Sequence, residues 1–439
     1  MKNTKIKNKK GRIIVVQGGS YGSESKGLVC TELCRLEKID ISVRTGSINA
    51  GHTCYYKGKA YKNQQIPVAW VSPKVKLVIG AGAYVSPEVL EREIKMIEKL
   101  IGKSLKGRLF IDKRCGAHLP IHAKRETGMH ERMGSTGEGC SEAIKDKMSR
   151  KYDYIMFKDT PFAKKNDNKH FQIVDTVKML HDCYDKGGVI LLEGTQGTML
   201  DLHLSHFPYC TSRQTTASAW LTEAGLSPAM NVEVVLVCRT FPIRVAGNSG
   251  PMPGEIEWQH LAEYVNESRK NKRLGLPELI SVPSLRNFED KLASVKESWN
   301  MPKKPLCEYT NDERIKYSTE LVTLHKQVFE NLPIEDQNEL KKLFEMTTVT
   351  KKLRRIAMLD IEELKYAIRI NRPKYLVMNF MNYAFPSLYE LKPNQSWKDS
   401  LESREIRNFI NYLKAKTGVF VKYINWCPQK IETTIPWEN

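Results

Sequence analysis

The chain has 439 residues, 41% of them hydrophobic and 27% charged. That is enough apolar material for a sizeable core, and it excludes a disordered chain, a collagen-like repeat and a small disulfide scaffold. Lys and Arg number 69 against 50 Asp and Glu, a formal charge of +19, which points either to polyanionic partners or to a Lys-rich surface.

Residues 1–12 are basic and read as a solvated tail; no apolar stretch follows that could act as a signal peptide. Short β-branched runs at 13–16, 76–79, 189–192 and 232–237 predict buried parallel strands. Helical patterns lie between them, at 86–101 and 171–184. Strands alternating with helices imply a mostly parallel sheet. From about 255 to 345 the sequence turns into charged, amphipathic helix, expected to be an inserted or peripheral elaboration. Segments 374–380 and 419–424 read as late strands. The expected architecture is α/β: a large, mostly parallel central sheet with flanking helices and peripheral helical additions, as a single domain over 13–439. No stretch approaches the roughly 18 apolar residues that span a membrane. The ten cysteines contain no CxxC pair, and Cys30 and Cys34 suit one helix face. Buried thiols in a reducing compartment follow, so a cytoplasmic location is expected.

The first strand runs into Gln17-Gly18-Gly19-Ser20-Tyr21-Gly22-Ser23-Glu24-Ser25-Lys26-Gly27, and a helix pattern follows through Leu33. A glycine loop between strand and helix lets backbone N–H groups approach phosphate, and the helix N-terminus adds partial positive charge. Lys26 would add a point charge. The spacing is neither GxxxxGK[ST] nor GxGxxG, so on spacing alone a structural turn and a phosphate loop both stay open. A second segment, Arg44-Thr45-Gly46-Ser47-Ile48-Asn49-Ala50-Gly51-His52-Thr53, sets one histidine among small residues. A ligand can approach such a histidine, which can donate a proton near neutral pH; a satisfied structural histidine is the alternative.

Together, Gly22 to Gly27 and Asn49 to Thr53 resemble the two signature loops of the adenylosuccinate synthetase family. The resemblance continues through Gly134-Ser135-Thr136-Gly137-Glu138-Gly139 and Asp146-Lys147-Met148-Ser149-Arg150. It runs on through Glu193-Gly194-Thr195-Gln196-Gly197-Thr198-Met199-Leu200-Asp201 and Pro208-Tyr209-Cys210-Thr211-Ser212. Last come Thr350-Lys351-Lys352-Leu353-Arg354-Arg355 and Leu359-Asp360. It spans nearly the whole chain and is weak between about 255 and 345.

The resemblance implies a ligase that joins L-aspartate to C6 of a purine monophosphate at the expense of a nucleoside triphosphate. The 6-oxygen is phosphorylated first; the aspartate amine then displaces phosphate. It implies His52 as general acid and Lys26 with the Gly22–Gly27 backbone, including Ser23, Glu24 and Ser25, on the triphosphate. Gly51, His52 and Thr53 would also meet the triphosphate, with Gly51 and the Ser23 position on Mg²⁺. Ser23, Asn49, Ala50, Thr136, Gln196, Thr211 and Lys352 would contact the monophosphate. Arg150 would reach it from the neighbouring subunit of a homodimer. Val349, Thr350, Lys352 and Arg354 would meet aspartate, with Arg354 also near the triphosphate.

Three positions depart from the family pattern. The family loop carries a catalytic Asp where this chain has Ser23, and serine cannot deprotonate purine N1 near neutral pH unaided. A dead enzyme is one explanation. A changed substrate is the other: serine leaves room beside C2 for the 2-amino group of guanine. That pattern resembles a phage branch making N6-succino-2-amino-2′-deoxyadenylate from dGMP, the route to diaminopurine DNA; the location would then be the host cytoplasm. Second, Met378-Asn379-Phe380 stands where the family reads guanine with an Asp. Asn379 could serve an adenine edge, favouring ATP (or dATP) over GTP. Nearby, Cys427 belongs to Asn425-Trp426-Cys427-Pro428, which replaces a smaller base-touching segment, and Trp426 could stack on the base or be a core or surface residue. Third, Lys352 replaces an Arg, which is not conservative at a bidentate site. An ordinary synthetase acting on IMP with GTP is the alternative. A nucleic-acid-binding protein is more distant, since basic patches with interleaved aromatics are not found; neither membrane nor direct nucleic-acid partners are expected.

Overall fold

The computed structural model describes residues 11–126, 135, 137–271, 273–299, 301, 310, 313, 317, 324–346, 352–392, 394–427 and 430–434. Ten strands form the central sheet. In chain order they are β1 (Arg12–Gly18), β2 (Ile41–Arg44), β3 (Lys76–Ile79), β4 (Leu109–Asp112), β5 (Gln172–Val174), β6 (Val189–Glu193), β7 (Val232–Arg239), β8 (Tyr375–Asn379), β9 (Val421–Ile424) and β10 (Glu432–Thr433). The order across the sheet is β10-β9-β8-β7-β1-β6-β2-β3-β4-β5. Every pairing is parallel except β9 with β10.

Burial explains the strand sequences. Ile13, Val15, Ile41, Val43 and Val78 pack on one face, and Ile14, Val16, Leu77, Ile79 and Leu191 on the other. A strand covered on both faces reads as a continuous apolar run rather than an alternation. All four expected early strands are present, as are both late ones, with bounds shifted by one or two residues. The short β2 and β4 carry a serine, an arginine and an aspartate, and their sequences gave no comparable run.

One expectation is corrected. Segment 171–184 is not one helix: Gln172–Val174 is an edge strand beside β4, and the helix is Thr176–Asp185. Asp175 makes the break, because its carboxylate caps the helix by accepting from the Lys178 N–H. Asp112 reinforces it by accepting from both the N–H and the hydroxyl of Thr176.

The 255–345 region contains the helices Trp258–Lys270, Val282–Ser298 and Ile334–Leu340. Trp258, Val265, Phe288, Leu292, Leu340 and Phe344 build a hydrophobic cluster separate from the one under the sheet. A small antiparallel sheet, Ile243–Arg244 with Arg355–Ala357 and Glu255–Ile256, ties this cluster to the strand ends. Most of the basic tail, residues 1–10, lies outside the described residues. Among the described residues no helix is long and apolar enough to cross a membrane.

One buried histidine makes stability depend on pH. His118 is 3% exposed, its Nε2 has no hydrogen-bond partner among the described residues, and its ring lies 5.6 Å from that of His122. Burial, and then the neighbouring His122, push it down to about 4, against smaller opposing effects of Glu138 and Glu88. The unfolded chain therefore binds more protons than the folded one between about 4 and 6.5, and stability rises with pH across that window. Urea unfolding from pH 4 to 7 is expected to show this rise, with up to ~1.4 kcal/mol per pH unit from this residue. A His118→Gln variant with the same slope would refute the assignment.

Candidate active site

In an open parallel sheet, ligands bind beyond the carboxyl ends of the strands where the order reverses. Here β1 lies between β6 and β7, and the loops leaving β1, β2 and β6 carry three of the segments singled out in the sequence.

After β1, the loop is built on left-handed backbone. Gly22, Ser23 and Ser25 have φ of +83°, +55° and +64°. Serine adopts this region at a cost, so the surroundings must impose it. The Glu24 carboxylate accepts from the N–H of Ser20 at 2.8 Å and of Gly22 at 3.2 Å. Arg239 Nη1 donates to the Ser23 carbonyl at 2.9 Å, and Asn379 Nδ2 donates to the Glu24 carbonyl. The Ser23 side chain is exposed, whereas Glu24 and Lys26 are buried. Lys26 Nζ lies 2.6 Å from Glu24 Oε2, so the expected point charge for phosphate is already paired in this structure.

Close approach is why Gly18 has no side chain. A Cβ there would fall 2.3 Å from Glu24 Oε2 and 2.8 Å from Lys26 Nζ. Gly18→Ala is expected to displace this ion pair at a cost of about 1–3 kcal/mol. The change is read as weaker triphosphate binding in calorimetry; unchanged affinity would show the pair to be irrelevant to it.

Next to this loop the chain forms a hairpin, His52–Tyr56 against Lys59–Asn63. A Cβ on Gly27, at the start of the helix Lys26–Leu36, would meet His52 Cβ at 2.9 Å, so glycine lets the two segments touch. His52 is 6% exposed; its Nδ1 lies 3.4 Å from Glu193 Oε2 and its Nε2 has no hydrogen-bond partner among the described residues. Glu193 ends β6 and accepts from Ser42 Oγ at 2.9 Å and from the Val68 and Ala69 N–H groups. Arg44 ends β2, donates to the Ala50 carbonyl, and approaches Glu193 at 3.9 Å. Burial, followed by the positive charges of Arg44 and Lys26, holds His52 well below its ordinary range. Burial raises Glu193, opposed by Arg44 and its hydrogen-bond donors.

Around this centre, Asn49, Ala50, Gln196 and Thr211 are half-buried, and Gly51 and Thr53 are exposed. Gln196 is left-handed at φ +60°, and its carbonyl packs where a Gly18 side chain would lie. Arg354 is half-buried, and burial lowers its guanidinium, with Glu345 opposing. Lys352 is half-buried beside it in the chain. Arg150 is exposed at φ +52° beyond the helix Cys140–Met148. Thr136, Val349 and Thr350 lie outside the described residues.

The structure places the two residues expected near the base. Asn379 is fully buried; its Nδ2 donates to the Glu24 carbonyl and so latches the glycine loop, while its Oδ1 has no hydrogen-bond partner among the described residues. Trp426 is a core residue, 6% exposed and packed with Leu236 and Ile424. Cys427 is half-buried and its carbonyl accepts from Asn425.

Arg239 was missed by sequence reasoning. Besides holding Ser23, it pairs with Glu345, stacks 3.6 Å over Phe380, and donates to the Phe241 carbonyl at 3.0 Å. Glu345 in turn accepts from Tyr383 at 2.9 Å and gives its carbonyl to the Arg354 N–H. The only available signal was an arginine closing an apolar strand run.

A family model for adenylosuccinate synthetase matches residues 15–165 and 162–392. The adenylosuccinate synthetase of Methanocaldococcus jannaschii is 34% identical over 270 residues, 60% of this chain and 74% of that protein. That of Pyrococcus horikoshii is 33% identical over 271 residues, 60% and 76%. Among solved structures, the cyanophage S-2L succinoaminodeoxyadenylate synthetase bound to dGMP and dATP superposes with a TM-score of 0.66 at 22% identity, covering 97% of this chain and 96% of that one. Fully ligated adenylosuccinate synthetase from Plasmodium falciparum gives 0.65 at 17% identity, covering 97% and 100%. Both structures share the fold. The chain belongs to the adenylosuccinate synthetase family, carbon–nitrogen ligases that join aspartate to a purine nucleotide with the help of a nucleoside triphosphate.

Proposed function

We propose that this ligase joins L-aspartate to C6 of dGMP with ATP or dATP, giving N6-succino-2-amino-2′-deoxyadenylate, a precursor of diaminopurine DNA. The observation that carries this reading is Ser23. It stands at the loop position where the family has Asp, with an exposed side chain and a carbonyl held by Arg239. A short hydroxyl there leaves room for a 2-amino group and can accept from it; an Asp would fill that space with charge.

In this reading His52 acts on the 6-oxygen through Nε2, which has no hydrogen-bond partner among the described residues. Glu193 holds Nδ1, which orients the ring. The imidazole is neutral in the free enzyme, and the charge of an arriving triphosphate would raise its proton affinity. Negative charge then builds on the 6-oxygen beside a hydrogen-bond donor in a buried site, where such a contact is strong. With no carboxylate at position 23, the base for purine N1 is bound water or a carboxylate of the aspartate substrate.

Magnesium fits as a companion of the triphosphate. Ser23 and the Gly51 carbonyl offer neutral oxygens, and Mg²⁺ characteristically takes much of its shell from substrate phosphates and water. Among the described residues no group of three or more His, Cys, Asp or Glu could hold a metal unaided. When bound, the ion would neutralise charge on the phosphoryl group being transferred. Arg150 is proposed to reach the monophosphate across a homodimer, in keeping with its exposure. The single-domain organisation over 13–439 belongs to the same proposal.

The test is a substrate panel of dGMP, GMP, IMP and dIMP with aspartate, against ATP and GTP. Turnover of dGMP above IMP supports the reading; a preference for IMP with GTP returns the protein to ordinary adenylosuccinate synthesis.

A further inference from the structure

We propose that Arg213 binds the 5′-phosphate of the purine monophosphate, an inference that rests on the substrate class proposed above. Arg213 follows Thr211 by two residues, and its side chain is 9% exposed. Its Nη2 pairs with Glu223, and the guanidinium lies 5.4 Å over the Trp220 ring. Its Nε and Nη1 are buried without any hydrogen-bond partner among the described residues. A guanidinium carries five donors in a rigid plane, and unpaired charged donors inside a protein call for an anion.

The surroundings join Arg213 to two other segments. Nη1 lies 3.0 Å, and Thr195 Oγ1 3.3 Å, from the point where a Cβ on Gly46 would stand. Glycine at φ +116° lets Arg213 and Thr195 pack this closely on the Gly46 backbone. Three chain segments therefore meet at one spot: the loop after β2, the loop after β6, and the segment containing Thr211. Each carries a residue expected on the monophosphate: Asn49, Gln196 and Thr211. Lys147, whose Nζ donates to the Arg114 carbonyl at 2.8 Å, is linked to this spot through Tyr84. Lys147 Nζ sits 5.5 Å over the Tyr84 ring, and the Tyr84 N–H donates to the Gly46 carbonyl at 2.8 Å. Glu223 is the opposing charge, with Oε2 also unpartnered. It fixes the guanidinium through Nη2 and leaves the other donors facing the phosphate. Arginine suits a phosphate here because charge-assisted N–H bonds to phosphate oxygens are strong and directional.

The experiment compares the full-length parent with Arg213→Gln and Arg213→Lys. Binding of dGMP, of IMP, of deoxyguanosine and of ATP is measured by calorimetry, with melting temperatures recorded alongside. Arg213→Gln is expected to weaken the monophosphates at least tenfold while changing deoxyguanosine and ATP less than twofold. Arg213→Lys is expected to recover part of the loss. A role confined to packing on Trp220 would weaken nucleoside and nucleotide alike, and that result overturns the proposal. Unchanged monophosphate affinity, in whichever variant folds, overturns it as well. A parent that prefers IMP to dGMP would refute the substrate reading only; the loss on IMP would still support Arg213, because both ligands carry the same phosphate.

Discussion

Replacing His52 by asparagine is expected to lower kcat about a thousand-fold, within the ~10²–10⁴ range of a positioned proton donor. The fold should survive. Asparagine can offer an N–H near the position of Nδ1, and Glu193 keeps its bonds from Ser42, Val68 and Ala69. The loss should fall on the chemical step, because Nε2 is the ring atom without a hydrogen-bond partner among the described residues. Rapid-quench measurement of phosphoryl transfer, beside equilibrium binding of the monophosphate, separates the two. A variant retaining more than a tenth of parental kcat would show that His52 is structural. Burial and the charges of Arg44 and Lys26 keep the free imidazole neutral, so the histidine should not by itself impose an acid limb on binding near neutral pH.

Restoring the family residue by Ser23→Asp is expected to lower kcat/KM for dGMP by roughly two to three orders of magnitude, and to raise that for IMP. The backbone poses little obstacle, since aspartate tolerates the left-handed region that Ser23 already occupies at φ +55°. Arg239 would still hold the carbonyl of residue 23. The penalty comes from crowding at the purine 2-amino group, and a site that rejects a competitor by such a clash discriminates strongly. The ratio of kcat/KM for dGMP to that for IMP, parent against variant, is the measurement. If the variant used dGMP as well as the parent does, the space reading of Ser23 would be wrong.

Much of the framework was legible from residues alone. The run Ile13 to Val16 announced a strand because a strand buried on both faces needs apolar side chains on both. The glycines of the first loop announced close approach, and Gly18 and Gly27 stand where a Cβ would strike the Glu24–Lys26 pair or His52. The ordered motifs from Gly22 to Asp360 marked the family. The edge strand Gln172–Val174 was misread as helix because three residues carry too little periodicity, and pairing with β4 decided its state.

Contacts between distant residues remained beyond the sequence. His52 and Glu193 are 141 positions apart, Arg239 and Ser23 are 216, and Asn379 and Glu24 are 355. Their partnerships exist because the parallel sheet brings the ends of β1, β6, β7 and β8 to one edge. The sequence by itself determined which strands could be buried, which loops could approach phosphate, and which family the chain joins. Only the tertiary structure decided that Lys26 is paired, that Asn379 is a latch, and that Arg213 is left with unsatisfied donors. Hydrogen-bond satisfaction depends on which groups meet in space, and local composition does not encode it.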